Sequence, residues 1–102
     1  MKTIKDIDAQ IQHWEDGFPK DQLPTYRRMF CNALGVAKAN SGDEAVSIFD
    51  LGIKIKNCLE NDIDLENAEF ELLRRCVIAN TANLYAHFQA QMIKKLNFKE
   101  IL

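Results

Sequence analysis

The segment from residue 41 to residue 75 constrains the fold most, because two helix start signals frame an almost wholly apolar helix. In the first signal, Ser41-Gly42-Asp43-Glu44, the Ser41 hydroxyl can accept from the backbone N–H of Glu44 while the Glu44 carboxylate reaches back to the N–H of Ser41. The second signal is Asp64, a favourable N-cap residue. The sequence therefore predicts two consecutive helices joined by a short acidic turn.

The first of these helices, predicted for residues 43–59, is apolar around well over half of its circumference. Its apolar arc contains Ala45, Val46, Ile48, Phe49, Leu51, Gly52, Ile53, Ile55 and Leu59. Such a helix is expected to have neighbours on several sides, which makes it the predicted central helix. Gly52 lowers helix stability by about 1 kcal/mol, and a common reason to tolerate it is the close approach of another backbone.

The wide apolar arc also predicts self-association. A bundle of about 100 residues has difficulty covering such a helix from all sides alone. We therefore expect a homodimer or a larger assembly.

Apolar residues at helical spacing predict further helices on either side of this pair. A short first helix would use Ile4, Ile7, Ile11 and Trp14, although the sequence leaves open whether residues 1–24 are helical or extended. Another helix is predicted from Thr25 to Asn40, and a last one for 84–96 after a break at Asn80. Strand signals are nearly absent. The predicted fold class is all-α, a single domain over 1–102 with four to five short helices in a compact bundle around helix 43–59.

Composition and cysteine usage indicate a soluble chain of the cytoplasm. Apolar residues make up 47% and charged residues 27%, near the globular average. Three cysteines without close pairing disfavour a secreted disulfide framework and favour a reducing compartment. Charges near residue 1 disfavour a signal peptide, and no apolar run approaches the about 18 residues of a membrane span.

The charge balance is uneven along the chain. Residues 43–73 hold nine acids against two lysines, whereas residues 74–102 hold five bases against one acid. The five bases form a possible patch for phosphate groups, namely Arg74, Arg75, Lys94, Lys95 and Lys99. The net charge of −2 speaks against nucleic-acid binding. Charges matched to helix dipoles explain the pattern better.

None of the candidate chemical sites in the sequence is complete. The acidic run 62–66 begins like a calcium loop, but it lacks the required Gly at position 6 and Glu at position 12. His13 and His87 have no metal-ligating residue at helical spacing. Cys31 has nearby cations but no histidine in helical reach to act as a base. We therefore predict no catalytic residue, no metal site and no cofactor.

Two charged residues interrupt the apolar stripes of the central pair of helices. Lys56 and Glu69 are equidistant from a turn at residues 62–63, so an antiparallel hairpin would place them opposite each other. The sequence thus predicts a structural ion pair between them, which more often fixes register than performs catalysis.

Residues 32–73 resemble a group of small uncharacterised proteins encoded by tailed phages and prophages. That group pairs an SGEE-like cap and an L-x-x-K-I-Y-N helix ending with a D-L-x-x-x-E-x-x-L-L-K-K helix. The counterparts here are Ser41–Glu44, Leu51–Asn57 and Asp64–Arg75, with Lys56 where the group carries an aromatic residue. The resemblance implies a phage origin, hence the host cell cytoplasm, and transfers no catalytic residue.

These observations predict a non-enzymatic phage-type accessory protein that acts through protein–protein interaction or self-association. The alternative is a small regulator that binds nucleic acid through its C-terminal bases. Phosphate contacts weaken steeply with salt, which distinguishes the two. The sequence leaves the identity of any partner open.

Overall fold

Four α-helices and a two-stranded antiparallel sheet form the part of the chain that the computed structural model describes, residues 1–13, 17, 19–80 and 85–96. Strand β1 spans Lys2–Ile4 and strand β2 spans Ile63–Leu65. The helices are α1 (Tyr26–Gly35), α2 (Gly42–Asn57), α3 (Asn67–Ala79) and α4 (Ala86–Lys95), and a 3-10 turn covers Lys20–Gln22. The all-α prediction is therefore confirmed only in part: the chain is mostly helical, but it also contains a small two-stranded sheet.

Strand β2 occupies the place where the sequence predicted a helix start. Ile63 and Leu65 point into the core while Asp64 between them is exposed, the alternation typical of a strand with one buried face. The Asp64 carboxylate accepts a hydrogen bond from the Thr3 hydroxyl of β1 at 2.5 Å. The prediction that Asp64 caps α3 is therefore wrong, and the N-cap is Glu66.

The segment before α1 is extended. Ile4, Ile7 and Ile11 are buried as an apolar stripe would be, but they belong to β1 and the irregular chain that follows it. Their backbone is satisfied by distant segments, since the N–H of Ile7 donates to the Asn61 carbonyl at 2.8 Å. The predicted first helix is wrong at these positions, and Trp14 lies outside the described residues.

Local signals place most helix ends correctly. Thr25 caps α1 by accepting from the N–H of Arg28 at 3.2 Å, and the Ser41 hydroxyl accepts from the N–H of Glu44 at 3.1 Å. The Glu44 carboxylate accepts a hydrogen bond from the N–H of Asn40 rather than from that of Ser41. Helix α3 ends before Asn80, as predicted, whereas α1 ends at Gly35, five residues earlier than predicted.

Helices α1 and α3 form the middle of the fold. Each of them contacts all the other helices. The buried residues of α2 are only Ile48, Leu51 and Ile55, which lie at helical spacing on one narrow face of the helix. The prediction that helix 43–59 is central is therefore wrong for the described residues, because the other part of its apolar arc faces outward.

The Arg27 side chain joins three segments of the fold. Its Nε and Nη2 atoms donate to both carboxylate oxygens of Asp8 at 2.8 and 3.0 Å. Nη1 donates to the carbonyls of Ile55 and Cys58, both at 2.6 Å, and Nη2 donates to the carbonyl of Glu60 at 3.0 Å. Arg27 thus satisfies carbonyl groups at the end of α2 that have no partner within the helix.

Replacing Arg27 tests this role. Arg27→Ala is expected to lower the free energy of unfolding by about 2–3 kcal/mol, because several partly buried acceptors lose a charged donor. Arg27→Lys should recover little, since one ammonium cannot reach both the Asp8 carboxylate and the carbonyls of residues 55–60. Urea unfolding measures both variants, and exposed Arg28→Ala is the control, expected within about 0.5 kcal/mol of wild type.

The same contact predicts how stability depends on pH. Hydrogen bonds from Arg27 hold the pKa of Asp8 below its ordinary value. A lowered folded-state pKa means that the stabilisation is present above the unfolded pKa, about 4, and is lost as pH falls through the folded value. The free energy of unfolding, measured with urea at a series of pH values, should fall less steeply below about pH 4 in Asp8→Asn than in wild type. An unchanged decline would contradict the assignment, and exposed Asp21→Asn is the matched control.

Candidate functional site

The outward face of α2 carries three large apolar side chains. Val46, Phe49 and Ile53 are 60%, 67% and 41% exposed. Their spacing of three and four residues places them on one face of the helix, and we call them the α2 stripe. Sequence analysis placed these residues in the apolar arc of the predicted central helix, which other helices or a second copy would cover. Periodicity alone does not distinguish a second apolar face from a wide buried one. The α2 stripe is therefore a candidate interaction surface.

A groove between α1 and α2 adjoins the α2 stripe. It is lined by Cys31, Leu34, Gly35, Ala45, Ile48, Phe49, Gly52, Ile53 and Lys56. A Cβ atom added at Gly52 would meet only the Leu34 Cδ1 atom, at 4.0 Å, and one added at Gly35 would meet nothing within 4 Å. The expected close backbone at Gly52 is therefore not found among the described residues.

Cys31 lies in this groove without the features of a reactive thiol. Its Sγ atom is 3.9 Å from the Gly52 carbonyl oxygen. Burial raises the pKa of the thiol, and the positive charges of Arg27 and Lys56 oppose this only in part. Because the thiolate is the nucleophilic form, Cys31 is a poor nucleophile in this position.

Exposed charges of both signs lie along α2 beside the stripe. Asp43 is exposed in the first turn of α2, Asp50 is exposed near its middle, and Lys54 and Lys56 are exposed in its last turn. This order also favours the helix dipole, since acids lie near its positive end and bases near its negative end. The charges in the first and last turns of α2 therefore match its dipole.

Glu69 forms its ion pair with Lys54, at 2.8 Å, and not with Lys56. Burial disfavours the charged form of Glu69, but the Lys54 ammonium and the Glu66 N–H outweigh it, so its pKa is lowered. The predicted partner is wrong because β2 lies between α2 and α3, which removes the symmetry of a tight hairpin. Lys56 instead lies beside the α1–α2 groove.

The predicted basic patch is engaged in other contacts. Arg75 pairs with Glu44 at 2.8 Å, and Arg74 lies 3.5 Å from a Glu71 carboxylate oxygen. The Lys95 Nζ atom lies over the Tyr26 ring, 4.8 Å from its centroid. Lys94 is exposed. Lys99 lies outside the described residues.

Two histidines that the sequence separates widely meet in the fold. The rings of His13 and His87 pack edge to face with centroids 4.9 Å apart. Across residues 1–13, 17, 19–80 and 85–96, no group of three or more His, Cys, Asp or Glu side chains is arranged to hold a metal ion. None of the helices described combines the length and the apolar character needed to cross a bilayer.

The α2 stripe and the adjoining groove are thus the best candidate site in the described part of the chain. No family model, curated protein or solved structure matches the chain. The resemblance to phage-encoded proteins remains a prediction from the sequence.

Gly52→Ala tests whether the groove is open in the isolated chain. We expect the free energy of unfolding to rise by about 0.5–1 kcal/mol, because alanine favours the helix and its Cβ meets only one side-chain methyl group. Urea unfolding at the lowest measurable protein concentration keeps any self-association out of the result. A destabilised variant would mean that a neighbouring group already fills the groove at Gly52.

Proposed function

We propose that this chain is a non-enzymatic accessory protein that acts through protein–protein interaction or self-association at the α2 stripe and the α1–α2 groove. The observation that carries the proposal is the exposure of Val46, Phe49 and Ile53 on one helix face. Large apolar residues scattered singly on a surface need no explanation, whereas three adjacent ones beside a groove do.

The internal packing of α2 gives no reason for this exposure. Ile48, Leu51 and Ile55 already hold the helix against the rest of the fold, and Lys54 and Glu44 add ion pairs to α3. Phe49 contributes to neither set of contacts. Aromatic side chains, Phe among them, are enriched at protein interfaces relative to the rest of the surface.

The wider role in this proposal comes from the sequence. The resemblance of residues 32–73 to phage-encoded proteins supports a phage-type accessory role, and the odd number of cysteines supports action in the cytoplasm of the host cell. Nucleic-acid binding is the weaker alternative, because Arg74, Arg75 and Lys95 already contact carboxylates or an aromatic ring.

Two aspartate substitutions at exposed apolar positions test the proposal. Phe49→Asp is expected to abolish capture of a partner protein, or of a second copy, by the immobilised chain. Ile78→Asp is the matched control, because Ile78 is 43% exposed on α3 and lies outside both the stripe and the groove. Capture from host lysate, read by mass spectrometry, measures both variants after circular dichroism has shown that they fold. Equal capture by the two variants would contradict the proposal.

A further inference from the structure

We infer that the α1–α2 groove binds a hydrocarbon chain that ends in an anionic group, a fatty acid or a similar single-chain amphiphile, with the anionic group beside Lys56. The inference goes beyond the proposed function, because the ligand is a small molecule and not a protein. It follows from the size of the groove, the chemistry of its walls and the position of the charge that lines it.

The size of the groove suits a slender ligand. Its volume is about 330 Å³, near the small end of the range of about 300–1,000 Å³ found for ligand pockets. Gly35 and Gly52 on its walls have no side chain to fill it, and the buried residues Leu34 and Ile48 form its floor. A helix is about 10–12 Å in diameter and would insert only single side chains. An unbranched chain would lie along the groove instead.

The walls of the groove favour hydrocarbon over a peptide strand. Among the described residues that line it, only Cys31 and Lys56 have polar atoms in their side chains. The walls belong to two α-helices, which use their backbone groups in internal hydrogen bonds. An extended peptide would lose water from its own N–H and C=O groups here without gaining hydrogen bonds, which costs free energy. A hydrocarbon chain carries no such groups.

Lys56 selects an anionic end group. It is the charged residue that lines the groove, and none of the ion pairs between described residues includes it. Burial raises the pKa of the Cys31 thiol, and the positive charges of Arg27 and Lys56 oppose the rise, so both cations act on the groove. Asp8 balances Arg27. A carboxylate would balance Lys56, whereas a cationic group would be repelled.

The fold places this charge at one end of the groove. Helices α1 and α2 run in opposite directions, since Arg27 in the first turn of α1 donates to the Ile55 carbonyl near the end of α2 at 2.6 Å. Lys56 therefore lies at the end of the groove nearest the start of α1, and Gly35 and Ala45 lie at the other end. A ligand with its anionic group beside Lys56 would extend its chain toward Gly35 and Ala45.

A titration with two amphiphiles of equal chain length tests the inference on the full chain. Dodecanoate has a negative head group and dodecyltrimethylammonium a positive one. Both are added below the concentrations at which they form micelles, and the backbone amide signals in two-dimensional NMR spectra report the site and the affinity. Dodecanoate should shift the signals of Gly35 and Gly52 with a dissociation constant of about 0.1–1 mM. Dodecyltrimethylammonium should bind about three- to tenfold more weakly.

Four variants separate the charge from the cavity. Lys56→Gln should remove the difference between the two amphiphiles, and Lys56→Glu should reverse it. Lys94→Gln is the matched control, because Lys94 is exposed on α4 and does not line the groove, so the difference should persist. Gly52→Leu should abolish binding of both amphiphiles, since the new side chain would occupy the groove.

Equal affinity of wild type for the two amphiphiles would overturn the inference. It would also be overturned if the signals of Gly35 and Gly52 showed no saturable shift, or if Lys56→Gln kept the preference for dodecanoate. Lys56 is exposed, so its variants decide the result even if Gly52→Leu fails to fold. A failed titration leaves the proposed function standing, because that function is measured by capture of a protein and its loss in Phe49→Asp.

Discussion

All five N–H groups of Arg27 are directed at oxygen atoms, and these oxygens belong to two segments far apart in the sequence, one at Asp8 and one at residues 55–60. Asp8 supplies the balancing charge, and the carbonyls of Ile55, Cys58 and Glu60 supply the other acceptors. The end of α2, the connection to β2 and the chain after β1 are therefore held at one point on α1. A lysine offers one nitrogen and cannot replace this planar fork.

This clamp also bears on the candidate site, because it fixes the C-terminal end of the helix that carries the stripe. Helix α2 is fastened by Arg27 at that end and by the pairs Lys54–Glu69 and Glu44–Arg75 along α3. Its buried residues Ile48, Leu51 and Ile55 provide the apolar contact with the rest of the fold. The exposed face is consequently presented on a helix whose position is set without it, which is the arrangement that favours a preorganised binding surface.

Local signals predicted the helices well and the rest of the fold poorly. The hydroxyls of Thr25 and Ser41 cap helices because each acts on a backbone group three residues away, which a sequence reveals directly. The β1–β2 pair depends on a contact between residues about 60 positions apart and on strands of three residues, so no local pattern announces it. Asp64 is an example: it was predicted as a helix N-cap because of its residue type, but the same residue type also suits the exposed position of a short strand.

The sequence predicted which residues of α2 are apolar, but it did not show which of them are exposed. The apolar arc of α2 contained Val46, Phe49 and Ile53, yet only packing could show which part faces inward. Likewise, symmetry about the turn predicted Lys56 as the partner of Glu69, whereas the strand β2 in the connection changes the register and Lys54 is the partner. Each error arose where a distant segment decided between two locally acceptable arrangements.

The pairing of β1 with β2 dictates an order of events during synthesis. When β1 leaves the ribosome, its hydrogen-bonding partner has not been made, and Ile4, Ile7 and Ile11 have no core to enter. Helices α1 and α2 can form from local contacts before β2 has been made. The β1 segment then closes a loop of about 60 residues once β2 emerges. Ile7 and Ile11 can pack earlier, because their segment bonds the backbone of residues 24–27. Ile4 in β1 itself remains exposed until β2 is made, and transient apolar exposure of this kind makes an unfinished chain prone to aggregate.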